Sequence, residues 1–308
     1  APFNHTLAFH PVNPGMSAAS PPPLPLPQSP AYARLLHHLS VEAQWRDLPG
    51  GRCLVQSRRF GPLGHVSLIS RGPVTAAPQA ALDGLRALAA TCPGPLVVNA
   101  PALDADGLRD AGFWPLLTPA TVGLVRLGTQ PQMRARLKAK WRNRLRRAEA
   151  AGLQVTLRPL PDRHWLLEAE ARQQKARRYR GAPPDLWTVY NRVNPGQALV
   201  VEAQRGSEPL AAGLFLLHNT TATYQISVTL PEGRAASAMT LILWQAMTAL
   251  AARGMHWLDL GTLDTVHAPG LAQFKLGTGA VAQTLGGTWL HLPWLAPAAR
   301  RLPAALCH

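Results

Sequence analysis

The spacing of apolar residues along this chain switches between strand-like alternation and helical stripes, and it does so in two successive rounds. In the first round, Tyr32–Leu39 reads as a short helix. Residues 52–58 and 64–70 read as paired strands with Gly61-Pro62-Leu63-Gly64 as their turn. An Ala/Leu helix over 79–90, a buried strand at Pro95–Asn99, a helix at Asp104–Ala111 closed by Gly112 and a strand at Thr121–Leu127 complete it. The second round opens with a helix over Pro131–Ala151, with Gly152 where a left-handed cap falls, followed by a strand at Leu153–Leu157 and a helix at Asp162–Arg178. A meander over 197–203, 210–218 and 222–228 leads to a helix at 238–253, capped by Ser237 and ended by Gly254. Trp257–Leu260 is a strand and Leu271–Leu276 a helical turn, and 281–284 with 288–292 form a hairpin around Gly286-Gly287. Interleaving of this kind builds α/β (α+β) layers, with mixed sheets flanked by helices. Two sets of similar content predict a duplicated architecture without a sequence-level repeat, with halves at 31–130 and 131–300 and a tail at 301–308.

Residues 1–30 are expected to be a disordered, proline-rich leader, because the run SPPPLPLPQSP at 20–30 removes backbone donors and fixes φ. Met16-Ser17-Ala18 reads as a better start than Ala1, making 1–15 an upstream extension without a fold. Three widely spaced cysteines, Cys53, Cys92 and Cys307, support neither a zinc site nor a disulfide framework. No histidine spacing suits a metal, and a reducing cytoplasm is the expected compartment. No apolar run reaches the length of a membrane-spanning helix, and the N-terminus lacks the pattern of a secretory signal.

Charge is where the chain departs from an ordinary α/β protein. Lys and Arg number 31 against 16 Asp and Glu, a formal net charge of +15. Between residues 134 and 180 fifteen basic residues face four acidic ones, so +11 of that excess sits in this stretch, most of it in two predicted helices. In the first, Met133, Leu137, Trp141, Leu145 and Ala148 form one apolar stripe, and cations fill the rest of the circumference. Residues 134, 138, 142 and 146 place like charges four apart, which costs a helix roughly 0.2–0.5 kcal/mol per pair. An anionic partner is expected to offset this: RNA, a phosphorylated substrate or an anionic membrane surface contacted peripherally. Lysine itself is rare, occurring only at 138, 140, 175 and 275. Lys275 is therefore distinct from the arginine background, and a compact ammonium does not do what a guanidinium does.

Lys275 lies in HWLDLGTLDTVHAPGLAQFKLGTG, residues 256–279, where a strand ends in Asp259 and Gly261 permits a tight turn. This stretch, the phrase KAKWRNRLRRAEAAGLQV, the meander containing Tyr224 and Ser70-Arg71-Gly72-Pro73 together resemble the Fem family. That family comprises the peptidoglycan bridge-forming, tRNA-dependent aminoacyltransferases, with wider relatives in the GNAT-type acyltransferase superfamily. The resemblance covers most of the chain from about residue 31. It implies two tandem GNAT-like halves, a reaction site in the C-terminal one, and Phe274-Lys275 beside the acyl group. Two positions depart from the pattern: Thr262 replaces a usual second Gly, and Thr278 an aromatic. The long helical-hairpin insertion of some cell-wall members also has no room here.

Acyl transfer by direct attack of an amine develops an oxyanion, and Lys275 is the candidate donor to it, held by Phe274 and the glycines that follow. Asp259 either accepts the amine's proton or orients the turn, and the second role is preferred. Arg142 and Asn143 on the basic helix either bind phosphates of tRNA or of a nucleotide-linked precursor, or face solvent. Tyr224 either reaches substrate or packs in the core, and Gly261, Gly277 and Gly279 complete the expected substrate-binding set. Acyl-CoA enzymes of this superfamily cradle pyrophosphate on a double-glycine loop. The equivalent stretch here, Glu232–Ser237, lacks it and leaves Arg234 as the anion contact. No tightly bound cofactor or metal is expected, and the donor is aminoacyl-tRNA or an acyl-CoA. The rival class is a non-catalytic RNA-binding module on the same fold.

Overall fold

The computed structural model describes residues 22–302, except 50, 62–63, 93 and 178–180. The first half comprises α1 (Pro30–His38), β1 (Glu42–Leu48), β2 (Gly51–Arg59), β3 (His65–Ile69), β4 (Val74–Thr75), α2 (Pro78–Thr91), β5 (Leu96–Asn99), α3 (Ala105–Asp110) and β6 (Phe113–Leu117). After β7 (Thr121–Arg126) come α4 (Gln130–Arg136), α5 (Ala139–Glu149), β8 (Gln154–Pro159), α6 (Trp165–Arg177) and α7 (Leu186–Val193). The meander is β9 (Ala198–Arg205), β10 (Glu208–His218) and β11 (Thr221–Thr229). Then follow α8 (Pro231–Ala235), α9 (Ala238–Ala252), β12 (Trp257–Thr262), α10 (Pro269–Gly277), β13 (Val281–Thr284), β14 (Thr288–His291) and α11 (Ala296–Ala299).

Each half repeats one order: an antiparallel set of strands, a long helix, and then a strand parallel to the last of the set. In the first half α2 lies between parallel β3 and β5, and in the second α9 crosses between parallel β11 and β12. Parallel neighbours need such a crossover, which is why a helix recurs at this point. Both sheets are seven-stranded and mixed, as expected.

The halves are not separable at residue 130. Strand β7 leaves the first half and inserts between β12 and β13, while β14 returns and inserts between β5 and β6. The expected hairpin of 281–284 with 288–292 is therefore corrected: those strands belong to different sheets, and Gly286-Gly287 carries the chain across. Each exchanged strand fills the open edge of a parallel strand, whose backbone groups would otherwise lack partners.

The leader is corrected in the same sense. Residues 1–21, including the alternative start, lie outside the described residues, as do Cys307 and the tail from 303. Residues 22–29, however, pack between the sheets. Leu26–Gln28 is a 3-10 turn and Ser29 caps α1. The buried Gln28 side chain accepts from Leu54 N and donates to Ser70 O, both at 2.8 Å, while Leu24 N donates to Thr221 Oγ1. Proline prevents regular structure here, yet neighbouring side chains satisfy the backbone that proline leaves open.

Sheet packing confirms the apolar stripe of the basic segment, with Met133, Leu137, Trp141, Leu145 and Ala148 all buried. The single helix over 131–151 is instead two. It breaks at Leu137-Lys138, where ψ is 134° and 149° and Lys138 N bonds Gly277 O at 2.9 Å. The repulsive series 134, 138, 142, 146 is thereby interrupted. Arg134 pairs with Glu149 and lies over the Trp244 ring. Helix α9, apolar all round, is buried between α5 and the sheet. Ser237 does not cap it: its φ is +55° and its side chain makes no cap bond. On the opposite face α1, α6 and α7 close a second core. Among the described residues, no helix is long and apolar enough to cross a membrane.

Candidate active site

Strands β11 and β12 pair only from Thr221↔Trp257 to Thr223↔Asp259, although β11 runs six residues further. Past that point they diverge. The register against β10 slips by one residue at the same place, leaving Gln225 as a bulge between Tyr224 and Ile226. Bulges recur beside active sites because they bend a strand and end its pairing. The result is a wedge at the carboxyl end of β12.

Asp259 stands at the apex. Leu258, Leu260 and Tyr224 enter the core beneath α5 and α9, so strand alternation turns Asp259 to the other face. It is buried, and both of its oxygens are engaged. Oδ1 accepts from Gly261 N at 2.7 Å, and Oδ2 from Arg71 Nη1 at 2.5 Å. Gly261 has φ +71°, the left-handed conformation the turn needs. This arrangement favours the orienting role for Asp259.

Lys275 reaches the same wedge from α10. Its buried ammonium donates to Thr262 O at 2.8 Å, and a Cβ on Gly261 would stand 4.0 Å from Nζ. One bond leaves two ammonium protons for another acceptor. Burial lowers the Lys275 pKa, and the Asp259 carboxylate acts against that shift. Two further residues belong to this cluster. Arg71 comes from the first half, and His218 ends β10 with Nε2 2.8 Å from Thr223 Oγ1 and a buried Nδ1 that has no partner among the described residues. Burial drops the His218 pKa to about 4, so its ring is neutral at pH 7. Sequence reasoning gave neither residue a role at the site. Arg71 lies 188 positions from its partner, and no local pattern announces such a pair.

The other expected site residues disperse. Phe274 packs against Trp141 with the rings tilted by 35° and their centroids 6.1 Å apart. Gly277 and Gly279 serve close packing, since a Cβ would meet Trp141 Cδ1 at 2.5 Å and Arg136 at 2.8 Å respectively. Tyr224 is a core tyrosine on the face away from Asp259. Its hydroxyl contacts Met239 Sδ, and burial pushes its pKa up to about 12. Arg142 and Asn143 lie exposed on α5, where Arg142 bonds Leu137 O and Asn143 accepts from Arg146. Arg234 is exposed on α8. The amides of Arg234, Ala236 and Ser237 are tied to Leu230, Glu232 and Arg234 carbonyls, and Gly233 packs against Leu210 O. A cavity of about 290 Å³ lies on the α2 face of the first sheet, lined by Glu42, Arg46, Ser67 and Cys92 among others; none of the site residues lines it.

This order of meander, crossover helix, splayed parallel pair and closing helix has a counterpart among known families. Residues 135–276 match the model of an acetyltransferase (GNAT) domain. The match spans less than half of the chain, and it shows the likeness of this stretch to a GNAT domain. Its matched stretch begins within α4 and ends within α10, so β7 and β13, which complete the sheet, lie outside it. Solved structures extend the likeness to both halves. FemX is 12% identical with a TM-score of 0.70, covering 91% of this chain and 95% of its own. The C-terminal domain of a putative lysylphosphatidylglycerol synthetase from Agrobacterium fabrum is 16% identical at 0.52, covering 88% and 89%. L-PGS from Bacillus licheniformis is 13% identical at 0.51, covering 92% and 98%. At these identities the likeness is one of fold, and it spans both halves, with the GNAT-like stretch in the second. No curated protein matches the chain in sequence. The match supports an acyltransferase.

Proposed function

We infer that the protein transfers an aminoacyl group from an aminoacyl-tRNA to an amino group of an acceptor, with a peptidoglycan precursor the first acceptor class to test. The observation that carries this reading is the buried Lys275 ammonium at the β11–β12 wedge, with two protons not committed among the described residues. An uncharged amine attacks the ester carbonyl, the new C–N bond forms, and the carbonyl oxygen becomes an oxyanion facing Lys275. Collapse breaks the bond to the ribose oxygen, which leaves as the alcohol and takes up the proton that the amine gives up. A donor of this kind is worth ~2.7–4 kcal/mol of transition-state stabilisation. Asp259 keeps the Gly261 turn, and with it the Thr262 carbonyl, in register with Lys275.

The tRNA donor is supported by α5. Lys138, Lys140, Arg142, Arg144, Arg146 and Arg147 are exposed around its buried stripe, and none has a carboxylate partner among the described residues. Such a strip suits the phosphodiester backbone of an RNA. Acyl-CoA is the second reading, favoured by the acetyltransferase description of the matching family and opposed by the occupied amides of α8. A screen of radiolabelled aminoacyl-tRNAs and acetyl-CoA against peptidoglycan precursors and small amines tests both. Lys275→Met should lower kcat on the order of 10²–10³-fold with the fold retained. Folded wild-type protein that consumes no donor, or a Lys275→Met variant at wild-type rate, would sink the reading.

A further inference from the structure

Three hydrogen bonds run in series from the first half to the candidate ammonium. Arg71 Nη1 donates to Asp259 Oδ2, Gly261 N donates to Asp259 Oδ1, and Lys275 Nζ donates to the carbonyl of Thr262, the residue after Gly261. Arg71 makes its contact under two penalties. Its φ is +51°, a left-handed conformation unfavourable for a residue with a Cβ, and its Nε is buried without a partner among the described residues. Such costs persist where the surroundings over-determine them, and they gather at functional sites. The surroundings here are the buried Gln28 amide. It bonds Ser70 O and Leu54 N and fills the space beside Gly72, where a Cβ would come within 2.7 Å of it.

We propose that Arg71 is a positioning residue of the acyl-transfer site, acting through Asp259 and the Gly261-Thr262 turn to set the orientation and freedom of the Lys275 ammonium. This rests on the reading of Lys275 as the oxyanion donor. A guanidinium on Oδ2 engages the carboxylate, so the ammonium is held by the Thr262 carbonyl and keeps protons for the developing oxyanion. Without Arg71 the carboxylate gains a stronger hold on Lys275. Among the described residues, few charged and titratable groups surround the ammonium. Asp259 lies on β12, Arg71 reaches in from the first half, and neutral His218 lies on β10. From α4–α5, the backbones of Arg136 and Lys138 pack against Gly279 and Gly277.

The chain's four lysines make a direct test practical. With lysine labelled at ¹³Cε and ¹⁵Nζ, the Lys275 signal is assigned by its loss in Lys275→Met and titrated in the full chain. Arg71→Met should raise its midpoint by about one pH unit, a tenfold change in the ammonium ratio at fixed pH. Arg71→Lys should restore part of the difference. Thr221→Val, which removes the separate Leu24 bond across the same junction, should leave the midpoint unchanged. With a donor pair that reacts, Arg71→Met should lower kcat tenfold with KM unchanged, and Arg71→Met/Asp259→Asn should be no slower than Asp259→Asn. An unmoved midpoint in both Arg71 variants, an equal shift in Thr221→Val, or additive kcat losses would each overturn the proposal. Wild-type activity in Lys275→Met would instead remove the reading of Lys275 while leaving the titration as measured.

Discussion

Gly277 and Gly270 lie in the same helix, and alanine should have opposite effects at the two positions. A Cβ at Gly277 would stand 2.5, 3.0 and 3.1 Å from Cδ1, Cγ and Cβ of Trp141, whereas a Cβ at Gly270 meets nothing within 4 Å. Carbon atoms pack best at about 3.5–4.0 Å, so the indole must retreat by roughly 1 Å. It has nowhere free to go, being 3% exposed and packed against the Phe274 ring. Overpacking of this kind costs ~1–3 kcal/mol. Straining the Lys138 N–Gly277 O bond adds up to ~1 kcal/mol. The helix preference of Ala over Gly returns at most ~1 kcal/mol. Gly277→Ala should therefore destabilise by ~1–3 kcal/mol, while Gly270→Ala should be neutral or stabilising by up to ~1 kcal/mol. Urea unfolding at pH 7, followed by tryptophan fluorescence and far-UV circular dichroism, measures both. Because α10 also carries Lys275, Gly277→Ala should lose transfer activity and Gly270→Ala retain it. A Gly277→Ala midpoint at or above wild type would refute packing as the reason for this glycine.

Gln28→Ala should destabilise by ~1–3 kcal/mol in the same unfolding assay, since it strands Leu54 N; no loss would mean that the proline-rich segment is dispensable. His218 has a depressed folded-state pKa, about 4 against 6.5, so the unfolded chain binds the extra proton between these values. Its contribution is complete above about pH 6.5 and is lost as pH falls toward 4, amounting to about 3 kcal/mol. Comparing urea midpoints of wild type and His218→Gln at pH 7 and 4.5 should show a smaller decline in the variant. Charge reversal at Arg142, Arg144 and Arg147 should weaken RNA binding and flatten the plot of log K against log salt by roughly 0.7–0.9 for each phosphate no longer neutralised. Filter binding over a salt series measures this, and an unchanged slope would place the RNA elsewhere.

Much of the local structure was legible. The hairpin of β2 and β3, the meander β9–β11 and the buried stripe of α5 follow from period and composition, because each depends on contacts close in sequence. Errors fell where long-range contacts overrode local preference. Pro131–Ala151 has no helix breaker after Pro131, yet it breaks at Leu137-Lys138, where Gly277 offers an acceptor. The run around Pro25 has no regular pattern, yet Gln28 and Leu26 hold it between the sheets. At the site, Lys275 and Asp259 were identifiable because they share one conspicuous stretch. Tyr224, Gly277 and Gly279 came from the same reasoning and are occupied with packing.

By itself the sequence determined the α/β class, the two rounds of elements, the concentration of cations on a helix with one apolar face, and the singular lysine of the C-terminal stretch. All of these are short-range properties of period, propensity and charge. Only the tertiary structure decided that β7 and β14 exchange sheets, that β11 and β12 part at Asp259, and that Arg71 closes on that carboxylate. Each of these joins groups far apart in the chain. Such pairings are settled by which open strand edge or buried charge must find a partner, and local sequence does not encode that choice.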